Sequence, residues 1–186
     1  MTEPRLTIAM PVYNAERYFE EAIESILAQT YKDFRFDIVD DGSTDNSKAI
    51  IERYAKQDSR IHLISRPNTG IIGALCDAVD ASTCPLIARM DADDIAIPTR
   101  LEKQIAFMDA NPDLVVSGTA RTMIDEYGLI IDQHDAVVGH EAIDNALLTT
   151  TGGAIVHPTA IMRPDAYEKV AATAPRASTL RTSTSG

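Results

Sequence analysis

Basic residues are scarce in this 186-residue chain: 17 Lys and Arg stand against 28 Asp and Glu, a net charge of −11 with histidine neutral. A polymer of phosphates is repelled by that balance unless a local basic patch exists, and the sequence has none, which excludes nucleic acid as the expected partner. Cysteine is nearly lacking. Cys76 and Cys84 lie apart from any His cluster and without metal-ligand spacing, so a disulfide framework and a zinc site are both excluded and the pair reads as free thiols of a reducing cytosol. No apolar run approaches the ~20 residues of a membrane span, and Met1 to Thr7 has no apolar h-region. The expected location is cytoplasmic, with peripheral attachment at the inner face of the membrane as its variant. The phosphate loop G-x-x-x-x-G-K-[ST], the dinucleotide loop G-x-G-x-x-G and the nucleophile elbow G-x-S-x-G are missing as well. The histidines, at 62, 134, 140 and 157, form no H-x-x-x-H pair.

What is present is a core. With 45% hydrophobic and 24% charged residues the composition is that of one soluble α/β or α+β domain. A chain of this length hides about 70% of its unfolded surface without staples. Leu6 to Met10 is a short apolar run that Pro11 is expected to stop, and Phe19, Ala22, Ile23, Ile26 and Leu27 recur at helical spacing. The alternation repeats. Phe34 to Val39 is strand-like, and Ile50, Ile51, Tyr54 and Ala55 mark a helix whose start Ser43 and Thr44 signal. Ile61 to Ile64 and then Gly70 to Ala81 make a third pair, and Leu86 to Met90 a fourth strand ending in Asp91. Pro98 is expected to open a helix that Asn111-Pro112 ends. Beyond it Leu114 to Ser117, Leu129 to Ile131 and Ala160 to Met162 are weaker strand signals, and His140 to Leu148 a helix.

Strands alternating with helices imply parallel pairing through right-handed crossovers, the Rossmann-like arrangement. Ligands of such sheets lie beyond the carboxyl ends of the strands. That directs attention to Pro11 to Asn14, Asp40 to Ser43, Arg66 to Gly70 and Asp91 to Asp94. Asp91-Ala92-Asp93-Asp94 follows a buried strand, and two carboxylates one residue apart can share Mg²⁺ or Mn²⁺ while leaving positions for phosphate oxygens. The plainer reading is a solvated acidic turn in which Asp94 or a neighbour caps the next helix. In Asp40-Asp41-Gly42-Ser43 an acid, Asp41 by preference, can accept hydrogen bonds from a ribose hydroxyl or base N–H. Against that, both acids can simply shape the turn, with Gly42 supplying a conformation other residues resist. His157 before Pro158 is the one histidine singled out, although a lone His is more often structural than a ligand.

Taken together, Pro11-Val12-Tyr13-Asn14, Val39-Asp40-Asp41-Gly42-Ser43-Thr44-Asp45, Asn68-Thr69-Gly70 and Met90-Asp91-Ala92-Asp93-Asp94 with Pro98 and Arg100-Leu101 closely resemble the family 2 inverting glycosyltransferases, from about Leu6 to Val170. The resemblance implies a GT-A fold and a nucleotide-diphosphate-sugar donor, UDP-sugar favoured, serving a saccharide or lipid-linked acceptor in polysaccharide biosynthesis. It places Pro11 and Tyr13 around the nucleoside, Asp41 on the base or ribose, Asp91 near ribose and metal, and Asp93 on the divalent cation. Arg66 and Arg89 become phosphate or nucleoside neighbours, and His157 with Arg163 leads to the acceptor side. Asp77 stands where the family often has Asn. Competing readings are a nucleotide-sugar-binding remnant without catalysis, a haloacid-dehalogenase-like phosphatase on Asp91 and Asp93, and a phosphoacceptor receiver domain on Asp40 and Asp41. The last two expect their acids after the first strand.

The resemblance assigns the catalytic base to a Glu-Asp-x-Asp-Leu-Trp type segment beyond a Gly-Gly-Tyr stretch, and neither occurs here. Residues 1–170 are therefore expected to form the donor-binding domain with its acceptor side incomplete, and 171–186 an unstructured tail. Writing Val170 to Thr173 as GTC GCG GCT ACC and restoring one G gives Val-Gly-Gly-Tyr. The same frame lets Thr179 to Gly186 read Ala-Glu-Asp-Phe-Asp-Leu-Trp. A frameshifted tail, with transfer impaired by loss of the base, is the resulting expectation.

Overall fold

The computed structural model of the chain describes residues 3–149 and 154–165. The expected alternation appears as β1 (Leu6–Val12), α1 (Phe19–Leu27), β2 (Phe34–Asp40), α2 (Ser47–Ala55), β3 (Ile61–Ser65), α3 (Ile71–Asp80), β4 (Leu86–Arg89) and α4 (Arg100–Ala110). Then come β5 (Val116–Ser117), β6 (Arg121–Ile124), β7 (Ile130–His134), α5 (His140–Thr149), a 3₁₀ turn at His157–Thr159 and β8 (Ile161–Met162). The tail from Ala171 and the segment Tyr167 to Val170 lie outside the described residues.

β1 is buried at all seven positions, so its sequence reads as a continuous apolar run rather than as an alternation. Its even residues Leu6, Ile8, Met10 and Val12 pack with Phe19, Ile23 and Ile26 of α1, Ile51 of α2 and Leu101 and Ile105 of α4. On the opposite face Ala9, Val39 and Ile87 meet Ala74 and Ala78, small residues that let α3 lie close to the sheet. The six-stranded sheet has the order β3-β2-β1-β4-β8-β5. β1 pairs in parallel with both β2 and β4, and β2 with β3. β8 runs antiparallel to β4 and β5, which makes the sheet mixed but mostly parallel. Because β2 and β3 build outward on one side of β1 and β4 is added on the other, the winding direction reverses between β1 and β4. A crevice is expected at that point.

Several sequence expectations need correction. Pro11 does not stop the first strand, which runs to Val12 and pairs Pro11 with Val39. Along β1 the backbone groups of odd residues face β4, as Ala9 does in accepting from Met90 N–H, while Val12 accepts from Asp41 N–H on the β2 side. Pairing with β4 ends at Ala9 opposite Arg89, so the donor that proline lacks belongs to no existing bond. The second helix starts at Ser47 rather than at Ser43 or Thr44. Those two residues instead knit the β1 and β2 loops together: Ser43 Oγ accepts from Asn14 N–H at 3.1 Å and Asn14 Oδ1 accepts from Thr44 N–H at 2.8 Å. The entry to α2 is organised by Asp45, whose Oδ1 accepts from Ser47 N–H at 2.9 Å. Helix α4 opens at Arg100, two residues beyond Pro98, and Asp94 does not cap it. The hairpin β6–β7 was legible only through part of β7, and all its strand residues are exposed.

Candidate active site

A cleft of about 630 Å³ opens where the winding reverses, lined by Pro11, Tyr13 and Asn14 after β1, Asp41 after β2, Asn68 and Gly70 after β3, and Asp91 and Asp93 after β4. Tyr13 is half exposed and offers an apolar ring at the rim. Asn14 holds φ at +52°, an uncommon value for a residue other than glycine, and the Ser43 and Thr44 bonds described above fix it there.

The two acids of the β2 turn separate into different duties. Asp40 is buried behind the cleft, its Oδ1 accepting from Ser43 N–H at 3.0 Å and its Oδ2 from the Ser65 hydroxyl at 3.3 Å. Asp41 lines the cleft and also ties down the β3–α3 loop. Its Oδ1 accepts from Thr69 N–H at 3.1 Å and its Oδ2 from Gly70 N–H at 2.8 Å. Gly42, directly after Asp41, has φ +75°, and a Cβ there would stand 2.8 Å from Asn68 N, so the turn requires glycine on two counts.

Arg66 is not on the cleft wall. Its Nε lies 3.3 Å from Asp41 Oδ1 and its Nη1 2.7 Å from Asp77 Oδ2, which makes it a strut behind Asp41. Gly73 leaves room for it, since a Cβ at that position would come within 2.9 Å of Arg66 Nη2. Asp77 therefore has a partner within this chain, which the sequence did not disclose.

Arg89 is also off the wall. It is 5% exposed, its Nη2 lies 2.9 Å from Asp91 Oδ1, and burial pushes its pKa down against the pull of Asp91. Burial pushes the Asp91 carboxyl up, Arg89 opposes that, and the negative charge of Asp93 adds to it. Asp91 and Asp93 share one wall, with Asp93 exposed to the cleft and Asp91 half-buried. Among the described residues no group of three or more His, Cys, Asp or Glu side chains is arranged to hold a metal ion by itself. Two carboxylates, hard oxygen donors, on one wall fit Mg²⁺ or Mn²⁺ that completes its shell with ligand oxygens and water.

The loop carrying these acids is braced by residues whose bracing role the sequence does not disclose. Gln29, fully buried at the end of α1, donates to Ile97 O at 2.8 Å and accepts from Leu101 N–H at 3.0 Å. Ser25 Oγ accepts from Ala96 N–H at 3.1 Å. Arg100, 7% exposed and pushed down to about 10 by burial, donates to Arg89 O at 2.7 Å and to Pro158 O at 3.0 Å. Gln104 Nε2 donates to Thr159 O at 2.8 Å. α4 thereby fixes the turn bearing His157 beside β4. His157 itself is exposed and does not line the cleft.

Residues 7–171 match the family described as Glycosyl transferase family 2, and the chain belongs to that family. It is 40% identical over 128 residues to EpsE of Bacillus subtilis (strain 168), a glycosyltransferase by name, covering 68% of this chain and 46% of that protein. Its fold is that of the GT-A structures. Mannosyltransferase PcManGT from Pyrobaculum calidifontis, solved with GDP-Man and Mn²⁺, superposes with a TM-score of 0.67 at 19% identity, over 92% of this chain and 48% of that one. TarS 1-349 of S. aureus, solved with UDP, gives 0.66 at 20% identity over 89% and 48%. The chain thus spans about half the length of the relatives it matches. Family membership displaces the phosphatase and receiver readings, whose acids belong after a first strand rather than after β2 and β4. No described helix is long and apolar enough to cross a membrane.

Proposed function

We propose that the cleft captures a nucleotide-diphosphate sugar with a divalent cation, as the donor side of an inverting glycosyl transfer to a saccharide or lipid-linked hydroxyl. The observation that carries the reading is the meeting of Asp41, Tyr13, Asp91 and Asp93 around one opening at the winding reversal of the sheet. Pro11 and Tyr13 would flank the nucleoside, Asp41 would accept from the base or ribose, and Asp91 would stand near ribose and metal. Asp93 would hold the cation, which supplies charge neutralisation for the diphosphate leaving group. The protein's own part is binding and orientation. The chain's acidity makes a bound cation necessary, because a diphosphate would otherwise face these carboxylates unscreened. The ligands of two structural neighbours, GDP-Man with Mn²⁺ and UDP, support the ligand class. A link to surface polysaccharide assembly takes its support from TuaG, a relative of Bacillus subtilis (strain 168) named for teichuronic acid biosynthesis.

His157 is proposed on the acceptor side by way of the turn that Arg100 and Gln104 hold. The proposed donor domain comprises 1–170. Calorimetric titration with UDP and GDP, with Mn²⁺ and then with excess EDTA, tests the donor side. Binding that requires the metal is expected. No binding of either nucleotide at millimolar concentration with Mn²⁺ present overturns the reading.

A further inference from the structure

Arg89 is the most deeply buried cation bordering the cleft, and the chemistry proposed above does not use it directly. It closes β4, and strand alternation puts its side chain on the same face as Ile87, the face that packs under α3. From there Nη2 reaches Asp91 Oδ1 at 2.9 Å, while the buried Nε has no hydrogen-bond partner. The side chain is 6% exposed against 29% for Asp91, so the guanidinium lies beneath the carboxylate rather than in the cleft. Its backbone carbonyl is held by Arg100 Nη2 at 2.7 Å, and its N–H donates to Ala160 O at 2.8 Å. The base of the side chain is therefore fixed at both backbone groups.

Burying a guanidinium with an unsatisfied Nε is unfavourable, and a neutral residue would fill the end of a strand more cheaply. We propose that Arg89 is a positioning residue for Asp91: it holds Oδ1 from below, so that Asp91 presents Oδ2 alone to the cleft and to what binds beside Asp93. This rests on the donor-site reading given above. It replaces the expectation of a direct phosphate or nucleoside contact by Arg89, and it assigns the deep face of the acidic loop a defined task. A carboxylate tethered by one oxygen offers a single donor in a fixed direction, as is common where a neighbouring group orients a ligating side chain, and loss of such a partner typically weakens metal binding about 10-fold to 100-fold.

The test is a thermodynamic cycle on binding. Affinities of the wild-type chain, Arg89→Met, Asp91→Asn and the double variant are measured for UDP or GDP, whichever the wild type binds, and for the corresponding nucleoside, all with Mn²⁺. Mn²⁺ affinity is read independently by paramagnetic resonance. Arg89→Met is expected to weaken nucleotide and nucleoside by a similar factor, about 10-fold or more, and to weaken Mn²⁺ in the nucleotide complex. In the Asp91→Asn background the same change is expected to cost less than about twofold, because the group through which it acts is already altered. A loss confined to the diphosphate, or one that persists undiminished without Asp91, overturns the inference and makes Arg89 a direct ligand. Should Arg89→Met fail to fold, Arg89→Lys carries the same cycle with a smaller expected loss, because its ammonium lacks the planar fork. A wild-type chain that binds neither nucleotide with Mn²⁺ refutes the underlying donor-site reading, a result distinguishable from either failure of the cycle.

Discussion

Replacing Asp41 with Asn separates loop anchoring from ligand binding, because the carboxylate serves two backbone donors at once. Oδ1 accepts from Thr69 N–H at 3.1 Å and Oδ2 from Gly70 N–H at 2.8 Å, with Arg66 Nε at 3.3 Å from Oδ1. Asparagine keeps one acceptor and turns a donor toward the other amide. One charge-assisted bond, at about 1.5–3 kcal/mol, is lost and the other becomes neutral. Arg66 keeps Asp77 at 2.7 Å and so is not stranded, which limits the electrostatic penalty. The sum is roughly 3 kcal/mol, or a fall in Tm of about 6–12 °C for a domain of this size. Calorimetric or circular-dichroism melting without ligand reads this directly, and nucleotide titration of the same variant reads the second role. A Tm within about 1 °C of the wild type refutes the anchoring argument. A normal Tm with lost nucleotide binding leaves Asp41 a ligand alone, whereas a lowered Tm with unchanged binding at low temperature leaves it an anchor alone.

Gly42→Ala is expected to lower stability by about 2 kcal/mol in urea denaturation, because φ is +75° and the new Cβ meets Asn68 N at 2.8 Å. Arg100→Met loses donors to Arg89 O and Pro158 O, each about 1.5–3 kcal/mol, and recovers roughly 3 kcal/mol of the cost of burying a guanidinium whose pKa has fallen to about 10. A net destabilisation of about 2 kcal/mol is expected in the same assay, and a stabilised variant would contradict it. Tyr54 donates to Glu24 at 2.8 Å, and burial followed by that carboxylate raises its pKa to about 12. Since the folded phenol holds its proton more tightly than the unfolded one, its contribution is complete below pH ~10 and is lost as pH rises toward 12. Melting curves across that range are expected to fall more steeply for the wild type than for Tyr54→Phe.

The parallel half of the sheet was legible because its strands and helices carry apolar runs of the right length and period: Phe19, Ile23 and Ile26 announce α1, and Leu86 to Met90 announces β4. Strand ends followed by acids then located the loops, and the cleft lies among them. Local rules failed where a tertiary partner decided the matter. Ser43 and Thr44 look like caps, but Asn14 in the neighbouring β1 loop engages them. Arg66 and Arg89 look like free cations beside a phosphate site, yet Arg66 is held by Asp41 and Asp77, both distant from it in sequence, and Arg89 by Asp91, which the sequence marks as a site acid but not as the partner of its neighbour. Gln29 gave no signal and Arg100 only its place in the family pattern, since a buried amide or guanidinium acting on distant carbonyls has no period and no spacing. Strand β6 and the end of β7 escaped for the opposite reason: their residues face water throughout, so no alternation of apolar and polar positions marks them.

Pro11 works as a zip stop. In a parallel ladder with Ala9 opposite Arg89, the next bond on that side runs from the N–H of residue 11 to the carbonyl of Met90, and proline has no N–H to offer. β1 and β4 can therefore close only as far as Met90 N–H on Ala9 O, and one residue later the chain is free to carry Asp91 out of the sheet. The parting of the strands is written into the covalent structure of a single ring. Conditions that tighten the rest of the domain will not seam this opening shut, and no ligand is needed to prise it apart.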